Sequence, residues 1–209
     1  MTNAKYVPLT ITIVLLAIAP AFGDTINDLF GTGLGGPPYS QDPYYQLVSS
    51  PIGPGPAYSW NAFDGWAQPN PPWQWITPYN YENLAAPVGN YDYQTTFTLP
   101  SNFSNPLLAG LTAMDNCGTV YLNQHPILTI TCPYGYFNAV PFSDSNPADF
   151  LAGVNTLDFV VYNAESTGPT GLLVENISGS YTATPEPGSF VLFGSGILGL
   201  VGVLRRKLS

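Results

Sequence analysis

Tyr91-Asp92-Tyr93-Gln94-Thr95-Thr96-Phe97-Thr98-Leu99 decides the fold class. The stretch alternates large apolar with polar residues, which puts Tyr91, Tyr93, Phe97 and Leu99 on one side of an extended chain. Working outward, Leu107–Met114 reads as the next strand, with Leu107, Ala109, Leu111 and Ala113 on one face. Gly118–Leu122 and Ile127–Thr131 read as a hairpin, and Tyr136–Phe142 follows. Ala148–Leu151 reads as one helical turn behind Asn146-Pro147. Thr156–Tyr162 alternates again through Leu157, Phe159 and Val161, and Gly171–Ile177 and Gly179–Thr184 complete the set. Upstream, Tyr45–Ser49 and Trp75–Thr77 are two further candidates, joined by an extended loop through Gln68-Pro69-Asn70-Pro71-Pro72. Short strands with turn signals between them predict an all-β antiparallel sandwich or jelly roll. No alternating helix pattern supports a parallel sheet.

The charge distribution narrows the partners. The only basic residues are Lys5, Arg205, Arg206 and Lys207, so nothing between Asp24 and Thr184 is Lys or Arg. That span holds twelve of the 13 acids, Glu186 alone falling outside it. Nucleic acid binding needs cations to displace counterions from phosphates, so it is excluded. Anionic lipid and acidic glycans are disfavoured for the same reason. Divalent cations and neutral polymers remain compatible.

The two ends differ from the middle. Lys5 followed by the apolar run Val7–Ile18 and the small residues of Ala21-Phe22-Gly23 predict a signal peptide over residues 1–23, cut before Asp24. A retained N-terminal membrane helix is the alternative. At the other end, Gly188–Leu204 carries no charge and ends in Arg205-Arg206-Lys207. The run is long enough for the lower edge of what spans a bilayer, with its cations left on the cytoplasmic side. Pro185-Glu186-Pro187 marks the border before it, because a helix does not continue across both prolines. Between the ends, residues 24–90 form a Pro- and aromatic-rich first part of the sandwich, and 91–184 form its core. Thr25–Phe30 reads as a short helix, and the glycines that follow read as a flexible lead-in.

The three-part tail resembles the PEP-CTERM sorting signal of Gram-negative bacteria: Pro185, Glu186 and Pro187, then a membrane segment over 188–204, then Arg205, Arg206 and Lys207. The alternative is an ordinary single-pass anchor, which needs no Pro185-Glu186-Pro187. The resemblance implies that an exosortase recognises and cuts the tail, after which the exported part reaches the cell surface or extracellular matrix. A second resemblance lies in the cargo. Phe97-Thr98-Leu99-Pro100, Ala113-Met114-Asp115-Asn116-Cys117-Gly118-Thr119-Val120-Tyr121-Leu122-Asn123, Phe150-Leu151-Ala152-Gly153-Val154-Asn155-Thr156-Leu157-Asp158-Phe159 and Gly168-Pro169-Thr170-Gly171-Leu172-Leu173-Val174-Glu175 are similar to galactose-binding-like β-sandwich domains. That likeness implies a jelly-roll sandwich, used in many such proteins as a structural module.

Few residues offer chemistry. Cys117 and Cys132 are the only cysteines, and export to an oxidising compartment predicts that they pair. If Gln124-His125 form a two-residue hairpin loop, Val120 faces Thr129, Leu122 faces Ile127 and Cys117 faces Cys132. A metal site built on the two cysteines and His125 is the competing reading. His125, the sole histidine, reads as an exposed turn residue, because no Gly-x-Ser-x-Gly elbow accompanies it. Gly194-Ser195-Gly196-Ile197-Leu198-Gly199 matches a dinucleotide fingerprint by letters alone, with no strand before it. Trp60, Trp66 and Trp73, among Asn61 and Asp64, are candidate sugar contacts; the alternative is that the tryptophans fill the core. Asp115, Asn116, Asp144, Asp149 and Asp158 leave calcium open, although no single loop gathers them. No cofactor and no resident metal is expected.

The sequence thus predicts a non-enzymatic protein, made as an inner-membrane-anchored precursor and delivered to the surface or outside the cell. Signal peptidase and exosortase are its processing partners, and neutral polysaccharide is its candidate ligand. Two alternatives stay open: an extracellular glycan hydrolase, and a purely structural module.

Overall fold

The computed structural model describes residues 23–34, 36–81, 85–183, 194–197, 199–200, 203 and 205–206. Among these residues eleven strands form one antiparallel sheet, ten of them along a single hydrogen-bonded path. They are β1 (Gly23–Thr25), β2 (Gln41–Ser49), β3 (Gly55–Trp60), β4 (Trp75–Thr77), β5 (Gly89–Leu99), β6 (Phe103–Asp115), β7 (Cys117–Leu122), β8 (His125–Ile130), β9 (Val140–Asp144), β10 (Gly153–Asn163) and β11 (Gly171–Ala183). Their order is β8-β7-β10-β5-β2-β3-β4-β11-β6-β9, with β1 on β11.

The path folds over on itself, in the manner of a β-sandwich, because the inward faces of its two halves are both apolar. Tyr91 and Tyr93 of β5 face Val161 and Phe159 of β10 across the ladder. Phe142 of β9 meets Phe159 edge-on at 5.7 Å, joining the two halves. Leu108, Met114, Leu172 and Val174 from β6 and β11 enter the same cluster. Burying a side chain of this size stabilises by about 1.5–3 kcal/mol, so this cluster is the main source of stability.

Most expected strands are present, with instructive differences. The two expected strands Gly171–Ile177 and Gly179–Thr184 are joined in one strand, β11, over Gly171–Ala183, interrupted by a bulge between Glu175 and Ser178 against β6, while Thr184 lies outside the described residues. Asn176 in the bulge has φ 53°, a conformation Asn tolerates better than most residues. Of the expected Tyr136–Phe142 strand only residues 140–142 are extended, as the start of Val140–Asp144; residues 131–139 form a loop. The helical turn falls at Pro147–Asp149 as a short 3-10 segment capped by Asn146. Thr25–Phe30 is not helical. Gly23–Thr25 pairs with β11, the chain continues beside that strand, and Thr32 N–H donates to Val174 O at 2.9 Å. Gly31, Thr32 and Gly33 are therefore buried, not a flexible lead-in. A Cβ on Gly31 would collide with the Trp73 ring, which explains the glycine there.

The hairpin register also differs. Leu122 pairs with His125, and Val120 with Leu128, so the turn is Asn123-Gln124 rather than Gln124-His125. Both turn residues have positive φ, 48° and 72°, as a two-residue hairpin turn of this hand requires. Asn123 is held there by its own side chain: Nδ2 donates to Asp149 O and Asn155 Oδ1, and Oδ1 accepts from Thr156 N–H at 2.9 Å. Cys117 and Cys132 are disulfide-bonded, with Cα atoms 4.8 Å apart. The bridge closes the far end of this hairpin, where the ladder has ended. Replacing both cysteines with serine is expected to cost about 3 kcal/mol for a loop this size. Urea unfolding checks this, and a midpoint unchanged by the double variant would contradict it.

The signal segment expected over 1–23 lies outside the described residues except for Gly23. The membrane segment expected over 188–204 is described only at 194–197, 199–200 and 203, which are helical. No helix among the described residues is long and apolar enough to cross a membrane. Pro185, Glu186, Pro187 and Lys207 lie outside the described residues.

Candidate binding cleft

β6 carries apolar residues on both faces. Leu108 and Met114 point into the main core, while Ala113 points outward with Leu173 of neighbouring β11. That outward apolar patch is covered by the β3–β4 connection, residues 61–74. Trp60 and Trp75 face each other across β3 and β4, and Trp66 packs on Trp75 with ring centroids 4.2 Å apart. Trp75 Nε1–H donates to Ala67 O at 2.9 Å, so the one polar atom of a fully buried ring is satisfied. Farther along, Glu175 of β11 accepts from Asn70 N–H and Nδ2–H at 3.0 and 3.2 Å, clamping the connection to the sheet. Gly171 is needed below it: a Cβ there would lie 3.0 Å from the Trp66 ring and 2.9 Å from Ile76 O.

Four segments meet beside this aromatic cover. The 61–74 connection brings Phe63, Asp64 and Trp66; the β6–β7 corner brings Asp115 and Asn116; the β8–β9 loop brings Tyr136; the β10–β11 connection brings Glu165, Gly168 and Pro169. Together they line a cleft of about 450 Å³. The walls are held by the backbone. Ala67 N–H donates to Tyr136 O at 2.7 Å, Gly135 N–H to Asn116 O at 2.8 Å, and Ala164 N–H to Asn116 Oδ1 at 2.8 Å. Thr170 Oγ1 donates to Asp115 O at 2.8 Å.

Asp115 is 3% exposed, and among the described residues no donor reaches its carboxyl. Burial, then the neighbouring Glu165 carboxylate, push its pKa up to about 7. The cleft therefore presents a carboxyl able to keep its proton near neutral pH and donate it in a hydrogen bond. Tyr136 is pushed up as well, by desolvation and then by Asp115, Tyr134 and Glu165, so its hydroxyl stays protonated. Beside the cleft, Tyr134 and Phe137 stack at 5.1 Å and are exposed. The cleft combines aromatic faces with hydroxyl and carboxyl groups, in a span from Asp24 to Thr184 that holds no Lys or Arg.

The residues singled out from sequence are distributed unevenly. Trp66 and Asp64 reach the cleft. Trp66 is only 6% exposed and Trp60 5%, so both rings serve chiefly as packing. Trp73 is half-buried above Gly31, and Asn61 is exposed; neither lines the cleft. Phe63, Tyr136 and Glu165 were not singled out. Tyr134-Gly135-Tyr136-Phe137 was the available signal, an aromatic run directly after Cys132. His125 lies at the opposite end of the β7–β8 hairpin, 3.2 Å from Asp149 Oδ1. Asp158 accepts from Gln94, and Asp144 from Asn146 N–H. Among the described residues no three His, Cys, Asp or Glu side chains could hold one metal ion.

β11 runs from Gly171, against the Trp66 ring of the cleft, to Ala183, 13 residues that span about 40 Å at strand rise. A family model described as the PEP-CTERM protein-sorting motif matches residues 183–207, beginning on the last residue of that strand. The chain carries this sorting motif, which marks it as an exported protein made as a membrane-anchored precursor and processed by an exosortase. No curated protein and no solved structure matches the chain.

Proposed function

We propose that the processed protein works at the cell surface or in the extracellular matrix as a structural or adhesive module whose loop end binds neutral polysaccharide. The domain is read as a galactose-binding-like jelly roll. The observation that carries the reading is the cleft between Phe63, Trp66 and Tyr136, with Asp115, Asn116 and Glu165 as its polar groups. Its placement supports the same reading. β11 separates the cleft from the sorting tail, so a domain held at its tail presents the cleft away from the membrane. The chemistry suits sugar hydroxyls, and the absence of Lys and Arg from 24–184 disfavours anionic polymers.

Affinity electrophoresis of the exported protein in gels holding neutral or acidic polysaccharides tests this. The expected result is retardation by at least one neutral polymer, weakened about tenfold or more by Tyr136→Ala, a loss in the range of an interface anchor. Retention on acidic polymers alone would overturn the reading. A second reading, glycan hydrolysis, draws support from Asp115 and Glu165 facing one cleft, as paired carboxylates must in a glycosidase. Chromogenic glycosides separate the two. Turnover abolished by Glu165→Gln supports hydrolysis; binding without turnover supports the binding module.

A further inference from the structure

We infer that the loop end is a groove that holds an internal stretch of a linear neutral glycan, several sugar units long, rather than a single terminal sugar. The inference rests on the neutral-glycan reading above and adds the shape of the ligand. Its basis is that the cleft does not end at Phe63. Phe63 and Pro169 line the cleft on one side and, on the other, a narrow crevice of about 10 Å³ with Trp60, Thr77, Tyr79 and Tyr81. Two hollows therefore share one apolar wall.

An exposed ring adjoins each hollow. Tyr81, on the wall of the narrow crevice, is 57% exposed, and Phe137, against Tyr136 of the cleft, is 46% exposed. The rings between them are packed in contact and need no ordering on binding: Trp60 stacks with Phe63 at 5.6 Å, and Phe63 meets Trp66 at 4.9 Å. Phe137 is braced against Tyr136 at 4.5 Å. A pocket for a chain end needs a wall that stops the polymer. Here Asp115 and Glu165 line the larger hollow together with Phe63, Trp66 and Tyr136, and exposed rings adjoin both hollows. That arrangement suits a polymer lying across the end of the domain, with hydroxyls bonded in the larger hollow and ring faces stacked beside both. Preformed rings keep the entropic cost of binding low.

Titration calorimetry of the exported protein with unbranched cello- and malto-oligosaccharides of two, four and six units tests the inference. The expected result is an affinity that rises about tenfold or more from the two-unit to the six-unit sugar in one series, equivalent to roughly 1.4 kcal/mol. Tyr81→Ala and Phe137→Ala should each flatten that rise. Both side chains are exposed enough for thermal unfolding to confirm that the variants fold. Equal affinity for two-unit and six-unit sugars would overturn the inference while leaving neutral-glycan binding in place. Failure of every oligosaccharide to bind, together with no retardation on any neutral polymer, would overturn both.

Discussion

Trp75→Ala is expected to lower unfolding free energy by about 3–5 kcal/mol, the range for removing a large buried aromatic ring. The ring is 0% exposed, opposes Trp60 across the β3–β4 pair and supports Trp66 at 4.2 Å. Its loss leaves a cavity over Leu173 and Ala113 and frees Ala67 O from its donor. The damage should not stop at stability. The 61–74 connection would lose the ring on which it rests, and that connection carries Phe63 and Trp66 to the cleft. Polysaccharide retention should therefore fall even under conditions where the variant is folded. Tyr81→Ala provides the contrast: an exposed side chain of the same end should change stability by about 0.5 kcal/mol or less. Urea unfolding monitored by tryptophan fluorescence decides. A Trp75→Ala midpoint within error of the parent protein would remove the second apolar cluster from the account.

Asp115→Asn should make the protein more stable at alkaline pH relative to the parent, by up to about 4 kcal/mol, because the folded chain holds that carboxyl near pKa 7 against 3.8 for the free group. The sign follows from proton counts. Between pH 4 and 7 the folded state binds more protons at Asp115 than the unfolded state does. Stability from this group is complete below pH 4 and is lost as pH rises through 7. Asparagine is neutral throughout, so that loss disappears. Asp92 adds a smaller decline of the same sign, since burial and then Asp158 raise it to about 6. The variant should keep the Asp92 decline, between about pH 4 and 6, and lose the Asp115 decline, which runs from about pH 4 to 7. At 2–4 °C per kcal/mol, the difference in Tm between the two proteins should widen by roughly 10 °C from pH 4 to pH 8. A constant difference across that range would place Asp115 in contact with solvent.

The alternation at Tyr91–Leu99 was legible because only one face of β5 is fully buried, so period-two patterning translates directly into a strand. β6 shows the limit of that rule. Both of its faces are covered near Ala113 and Met114, and an apolar run covered on both sides does not reveal which face is inward. Leu107, Ala109, Leu111 and Ala113 do share a face, but it is the outer one. The hairpin turn escaped for a different reason. Gln124 in the left-handed region is an unusual choice, and the Asn123 side-chain network that compensates for it reaches Asp149, Asn155 and Thr156, far along the chain. The cleft was the least legible feature. Its residues come from four segments between Phe63 and Pro169, and no local pattern announces that β-sheet topology will bring them together. The sorting tail was the opposite case: its parts are contiguous, so their order and composition carry the signal without any fold.

Oxidative footprinting of the exported protein, with and without the neutral polymer that retards it, tests the central claim most directly. Protection of Tyr136, Phe137, Tyr134 and Tyr81 at the loop end is expected, with Tyr121 and Tyr162 on the open face of the sheet unchanged. Protection confined to Tyr121 and Tyr162, or an unaltered pattern under saturating polymer, would contradict it.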